Sequence, residues 1–167
     1  MIAKVPRMFQ RHDPRREATL ALARIKTLAG IDSLPWDSGV YEDRRSKDEV
    51  HHALGMWLVP ISTNQDLDDV AFSDAKQAVC YDLRAEGFGV LTPDLLESQT
   101  FIVAIPNGTD CDDSWKFFIA TCCHHTCRPG GWFLLGLLAE RIYEPIALQT
   151  QQFRALTAAA LATTESE

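Results

Sequence analysis

The sequence predicts a mainly β protein: a small six-stranded antiparallel β-barrel with an N-terminal helix and a C-terminal helix. In the middle of the chain, short segments rich in β-branched and aromatic residues alternate with turn residues, a pattern typical of a small barrel. Helical periodicity replaces this pattern at both ends. We therefore expect a helical extension and linker over residues 1–40, the barrel over 41–145 and the C-terminal helix over 146–167.

The first element is predicted as a helix over residues 14–29. Asp13 can act as N-cap, Pro14 stands at the first helical position, where its missing N–H costs nothing, and Gly30 ends the helix. We expect its apolar stripe to pack on the barrel or on a second copy of the chain, with an oligomerising coiled helix as the alternative. The stripe consists of Ala18, Ala21, Leu22, Ile25, Leu28 and Ala29.

Six strands are predicted between turn signals. Arg128-Pro129-Gly130-Gly131 forms a hairpin turn between the last two, and Pro106-Asn107-Gly108 ends the strand before them. Residues 31–49, with Pro35, Gly39 and a mixed-charge run, suit an exposed linker. The strands are expected at about residues 50–61, 76–82, 87–92, 100–105, 115–127 and 131–143.

The pattern after Pro145 is helical again, with an apolar face expected to cover a barrel mouth or a sheet edge. That face consists of Ile146, Gln149, Phe153, Leu156 and Ala160.

Composition limits the partners of this chain. A formal net charge of −7 disfavours a nucleic acid polymer, because the field repels a phosphate backbone. A small anionic ligand stays open, since basic residues are concentrated in the first 50 positions. No apolar run approaches the roughly 20 residues that cross a bilayer, and the five cysteines lack the even spacing of a disulfide framework. We therefore expect a cytoplasmic protein with free thiols and no membrane partner.

The motifs of common enzyme classes are missing from the sequence. It contains no phosphate-binding loop, dinucleotide fingerprint, zincin motif or paired-carboxylate signature. A catalytic Cys–His pair would lack an orienting residue and an oxyanion element. The sequence therefore predicts a binding module, not an enzyme, that requires no cofactor.

One stretch carries a resemblance to a known family: Tyr81-Asp82-Leu83-Arg84-Ala85-Glu86-Gly87-Phe88-Gly89-Val90. With the arginine-bearing linker before it and the closing hairpin after it, this stretch resembles the PilZ domain. The second motif of that family is Asp or Asn, any residue, Ser, two residues and then Gly. Asp82 and Gly87 match it, whereas Arg84 occupies the Ser position. The resemblance covers residues 41–143.

The first motif of the PilZ family is two arginines, separated by three residues, just before the first strand. Arg44 and Arg45 lie in this region, but Asp48 and Glu49 stand four residues after them. Lys47 occupies the place of the second arginine. This departure matters because a guanidinium binds phosphate bidentately and stacks on guanine, whereas lysine supplies a point charge.

The resemblance implies a bacterial receptor for cyclic di-GMP, a sensor in second-messenger signalling. A flexible basic segment could close over the dianionic ligand while Asp82 accepts hydrogen bonds from a guanine edge. Arg84 could donate to phosphate or fill the pocket. The alternative is a PilZ-like domain that no longer binds nucleotide and acts through its helices as an adaptor, with an unidentified protein partner or as a homodimer. The implied ligand-binding residues are Arg44, Arg45, Lys47, Asp82, Arg84 and Gly87.

A cluster of soft ligands, Cys122-Cys123-His124-His125-Thr126-Cys127, lies in the fifth predicted strand. Strand alternation would place Cys123, His125 and Cys127 on one face, with the outer two about 13 Å apart. Three of them could not meet at a metal without a bulge, so we expect inert thiols at a strand end and no metal. Zinc binding and redox sensing are the alternatives. His51 and His52 are expected to face opposite ways on the first strand.

Overall fold

A computed structural model describes residues 13–28, 54–107 and 114–164. The helices and strands confirm the predicted fold class: a closed antiparallel β-barrel of six strands with an N-terminal and a C-terminal helix. Two 3₁₀ turns, Leu67–Asp69 and Phe72–Asp74, lie between the first two strands. The main elements are α1 Pro14–Leu28, β1 Leu54–Ile61, β2 Lys76–Leu83, β3 Gly87–Thr92, β4 Thr100–Pro106, β5 Trp115–Arg128, β6 Trp132–Tyr143 and α2 Ala147–Thr164.

The strands follow one another around the barrel in the order β1, β2, β3, β6, β5, β4, and β4 pairs back with β1. All six pairings are antiparallel. The turn predicted at residues 128–131 joins β5 and β6, with positive φ at Gly130 (84°) and Gly131 (80°). Closure leaves no unpaired sheet edge.

Alternating residues of every strand form the barrel interior. Phe88 and Phe118 meet edge to face there, with ring centroids 5.7 Å apart. The stripe of α1 joins the same interior cluster through Ala18, Leu22 and Ile25, so this helix closes one end of the barrel. The prediction that α1 packs on the domain is confirmed for these three residues.

Two polar contacts fix the start of α1. The backbone N–H groups of Arg15 and Arg16 donate to Asp13 Oδ1 at 3.1 and 3.4 Å, which confirms Asp13 as N-cap. The Arg15 guanidinium donates through Nε and Nη2 to Glu140 Oε2 of β6, at 3.0 and 2.7 Å. This pairing orients the helix across the end of the barrel.

α2 covers part of the outer surface of the barrel. Outward residues of β1, β4 and β5 form a second cluster with Phe72 and with Phe153 of α2. The prediction that this helix covers a mouth or a sheet edge is therefore wrong, because Phe153 packs in the outer cluster and closure of the barrel removes the edge. Of its predicted apolar face, Gln149 and Phe153 are buried, whereas Ile146 precedes the helix and is exposed. Among the described residues, neither helix has the length and apolar character to span a bilayer.

Gln149 anchors α2 with a fully bonded side chain that is 1% exposed. Its Oε1 accepts from the Tyr143 hydroxyl at 2.8 Å. Its Nε2 donates to the carbonyl oxygens of Leu67 and Val70, at 2.7 and 3.1 Å. The amide thus ties α2, the end of β6 and the 62–75 segment together.

Candidate functional site

Three predicted ligand-binding residues lie together at the hairpin between β2 and β3. Asp82 is near the end of β2, Arg84 opens the three-residue turn and Gly87 begins β3. The Arg84 N–H donates to the Gly87 carbonyl at 2.9 Å and closes the turn. The other three predicted residues, Arg44, Arg45 and Lys47, lie outside the described residues.

Asp82 and Arg84 form an ion pair on this surface. Arg84 Nε donates to Asp82 Oδ2 at 2.7 Å, and the two side chains are 62% and 30% exposed. The hydrogen bond to Asp82 raises the pKa of Arg84. Exposed pairs of this kind contribute about 0.2–1 kcal/mol, so a ligand can rearrange this pair at little cost.

Gly87 is required by close packing between strands. A Cβ atom at this position would overlap the carbonyl oxygen of Leu137 on β6. Because that obstacle is backbone, it cannot turn away. The glycine at this position is explained by β3–β6 packing, and a contact between Gly87 and a ligand stays a prediction.

Beside the ion pair, two glycines face each other at the centre of the outer surface. Gly89 of β3 pairs directly with Gly136 of β6. The neighbouring residues in each strand point into the interior cluster, so the glycines belong to the outer face. Without side chains, this pair leaves a shallow groove in the sheet.

Two irregularities in register flank the glycine pair, one on each side. The register between β2 and β3 shifts between Cys80 and Asp82, so that Tyr81 is the extra residue. The register between β5 and β6 shifts between Cys122 and His124, opposite Gly136. A bulge inserts one residue and redirects the side chains around it.

The side chains at these bulges fill the groove. A Cβ at Gly89 would lie 2.8 Å from Cζ and 2.9 Å from the hydroxyl oxygen of Tyr81. A Cβ at Gly136 would overlap the His124 imidazole. Two rings therefore occupy the space that the glycines leave. The sequence analysis missed both, although isolated glycines in β3 and β6 were a signal that something packs over the strands.

Charges surround Tyr81. Burial raises the pKa of its hydroxyl and the neighbouring Asp82 carboxylate raises it further, whereas Arg84 and Arg128 lower it. The hydroxyl is therefore neutral at physiological pH and can donate a hydrogen bond. Arg128 stands at the end of β5, so the surface has basic side chains near the Tyr81 ring.

The cysteine and histidine cluster is arranged differently from the prediction. The bulge shifts the alternation, so Cys122 and His125 pair with Leu137 and Leu135, which face the interior. The predicted regular alternation, which placed Cys122 and His125 on opposite faces, is therefore wrong, whereas His125 and Cys127 share a face as predicted. His125 stacks on the ring of Phe133 at 5.8 Å.

Within the described ranges, no three His, Cys, Asp or Glu residues are placed to hold a metal ion. His51 and His52 lie outside those ranges. Cys80 is 1% exposed, and burial raises its pKa to about 12. Cys123 and Cys127 are exposed.

Two cavities lie away from the β2–β3 hairpin. The first, of about 580 Å³, is lined by loop residues 62–65 and 97–100. The second, of about 510 Å³, lies between α2 and the start of β5 and includes Trp115 and Phe153. Neither is lined by Asp82 or Arg84. Arg84 is exposed and Asp82 is partly exposed.

Comparisons with family models, curated proteins and solved structures find no match to this chain.

Proposed function

We propose that the protein is a sensor that binds cyclic di-GMP on the outer face of the barrel, at the β2–β3 hairpin. The observation that carries the proposal is the Asp82–Arg84 pair at the surface, in which Arg84 Nε lies 2.7 Å from Asp82 Oδ2. The pair presents an acceptor for a guanine edge and a donor for phosphate side by side. The PilZ resemblance supplies the identity of the ligand, and the geometry supports its placement.

Arg84 supplies the phosphate donor in place of the Ser of the PilZ motif. Its Nε is engaged by Asp82, and among the described residues no hydrogen bond involves its terminal nitrogens Nη1 and Nη2. These two atoms form a planar fork that matches two oxygens of a phosphate. The departure from the family motif thus adds an anion-binding group to the surface.

Asp82 supplies the acceptor for the base. Its Oδ2 accepts from Arg84, whereas Oδ1 has no hydrogen bond to any residue in the described part of the chain. A guanine presents two N–H donors on one edge, and a carboxylate can accept both. Release of the weak pair with Arg84 on binding would free the second oxygen.

The order of the strands places the start of β1 beside the β2–β3 hairpin. Leu54, where β1 begins, pairs with Cys80 of β2, two residues before Asp82. Lys47 precedes Leu54 by seven residues, so at most about 25 Å of chain separates them. Arg44, Arg45 and Lys47 can therefore reach a ligand at Asp82.

Titration calorimetry of the full chain with cyclic di-GMP tests the proposal. Binding should be detectable and should raise the melting temperature, since a ligand that binds only the folded state stabilises it by mass action. Arg84→Ala should weaken binding tenfold or more, whereas Arg154→Ala, an exposed arginine of α2, should not change it. Absence of both heat and thermal shift at high micromolar ligand overturns the proposal.

A second candidate function, a protein–protein adaptor, is favoured by one observation. Arg84 already occupies Oδ2 of Asp82, as it would in a domain that has lost its ligand. The helices then supply the contact surface, where Leu20, Leu148 and Leu161 are exposed. A folded wild-type protein that shows no heat of binding with cyclic di-GMP would support this candidate over the sensor.

A further inference from the structure

The glycine groove and its two rings are not explained by the Asp82–Arg84 pair. Gly89 and Gly136 face each other across β3 and β6, and each glycine is covered by a ring from a bulge on the strand beyond it. We propose that Tyr81 and His124 form a stacking site for a purine base of the bound nucleotide. This inference rests on the proposed function and adds the residues that hold the base.

The two rings lie close enough to act on one base. Directly paired positions in an antiparallel sheet have Cβ atoms about 4.5–5.5 Å apart. The Tyr81 hydroxyl lies 2.9 Å from the Cβ position of Gly89, and His124 Nε2 lies 2.6 Å from that of Gly136. The rings therefore cover adjacent positions of one surface.

The site is accessible from solvent. α2 and the 62–75 segment pack over β1, β4 and the first part of β5, on the other half of the barrel surface. His124 is exposed and Tyr81 is partly exposed. Each ring contacts the sheet over a glycine, and a base can approach from the solvent side.

The groups around the rings complete a nucleotide site. A Cβ at Gly89 would lie 3.0 Å from Cβ of Asp82, so the carboxylate stands at the edge of the groove. Arg84 is paired with Asp82, and the charge of Arg128 reaches Tyr81. A stacked base would thus have an acceptor beside it and basic groups for the phosphate. Stacking on aromatic side chains is not specific for one base. Asp82 would supply the preference for guanine over adenine, because a carboxylate accepts hydrogen bonds from the N–H groups of a guanine edge.

A purely structural role for the rings makes a different prediction. Rings that only fill the glycine groove could be replaced by another bulky apolar side chain. Stacking requires an aromatic face. The leucine variants His124→Leu and Tyr81→Leu keep the groove filled and remove that face, whereas His124→Phe and Tyr81→Phe keep the face.

The experiment is titration calorimetry of the full chain with three probes: cyclic di-GMP, GMP and ribose 5-phosphate. His124→Leu and Tyr81→Leu should each weaken binding of both nucleotides by roughly tenfold and leave ribose 5-phosphate unchanged, whereas the Phe variants should bind as wild type. The control is His125→Leu, the adjacent histidine on the other face of β5, which should bind nucleotide normally. Melting curves establish that each variant is folded.

The outcomes separate this inference from the proposed function. Wild-type binding of cyclic di-GMP that both leucine variants retain would overturn the stacking site and leave the sensor intact. GMP binding that depends on the rings, without binding of cyclic di-GMP, would overturn the sensor and support the stacking site. Absence of binding to either nucleotide would overturn both.

Discussion

The two halves of the outer barrel surface are built from different residues. Over β1, β4 and the first part of β5, the outward positions are apolar and lie under α2, as with Val59 and Ile102. Over β2, β3 and β6, the corresponding positions include Asp82, Gly89 and Gly136, which lie outside the cluster that α2 forms with the barrel in the described part of the chain. Within the described residues, the outer surface therefore divides into a covered half, which stabilises the fold, and a bare half, which we propose as the ligand-binding face.

The covered half should show the largest effect on stability. Phe153 is 3% exposed and contacts three aromatic rings at centroid distances of 5.1–6.3 Å. Phe153→Ala should lower the free energy of unfolding by about 3–5 kcal/mol, measured by urea denaturation. Arg154→Ala on the exposed face of α2 should change it by less than about 0.5 kcal/mol. Equal losses would contradict the packing of α2 on the barrel.

Gln149 gives a second test of the covered half. Gln149→Leu would leave the carbonyl of Val70 without its donor and would remove the shortest hydrogen bond to the carbonyl of Leu67. An unpaired buried polar group costs about 1–3 kcal/mol. We expect a loss of about 2–3 kcal/mol in urea denaturation. Gln151→Leu, at an exposed position of the same helix, is the matched control and should be near neutral.

Gly87 tests whether the bare half depends on close packing between β3 and β6. Gly87→Ala should cost about 1–3 kcal/mol, because the new methyl overlaps the Leu137 backbone and the strands must move apart. Gly55→Ala in β1 meets nothing within 4 Å and is the control. A Gly87→Ala protein as stable as the Gly55→Ala protein would show that β3 and β6 are not so close.

The basic linker should affect binding and not stability. Arg45→Ala should weaken cyclic di-GMP binding tenfold or more, since a charge-assisted contact is worth roughly 1.5–3 kcal/mol. Lys47→Ala should cost less, and Lys47→Arg should tighten binding because arginine adds the bidentate fork. Calorimetry measures the affinities, and melting temperatures should stay unchanged. Equal affinities for all variants would identify the segment as a solvated linker.

The strands and caps were predictable because their signals are local. Alternation and turn residues placed β3 at 87–92, and Asp13 with Pro14 marked the start of α1. The bulges at Tyr81 and Cys123 were not predictable, because one extra residue leaves local composition unchanged and shifts only the pairing with a distant strand. The position of α2 depends on which half of the closed barrel has an apolar outer face. That half can be identified only when the register between paired strands is known.

The same limit applies to the candidate site. Asp82, Arg84 and Gly87 are close in sequence and were found from a short motif, and the hairpin brings them together. His124 is far from Tyr81 in sequence and joins the site through the Gly89–Gly136 pair. A cysteine- and histidine-rich segment suggests a metal first, and the barrel register gives His124 a different environment.

Backbone amide NMR during a titration with cyclic di-GMP tests the central claim most directly, namely that the bare half is the ligand-binding face. The account predicts chemical-shift changes at Tyr81, Asp82, Gly89, His124 and Gly136, with the signals of α2 from Gln149 to Thr157 unchanged. Shifts concentrated in α2 and the start of β5, or no shifts at saturating ligand, would contradict it.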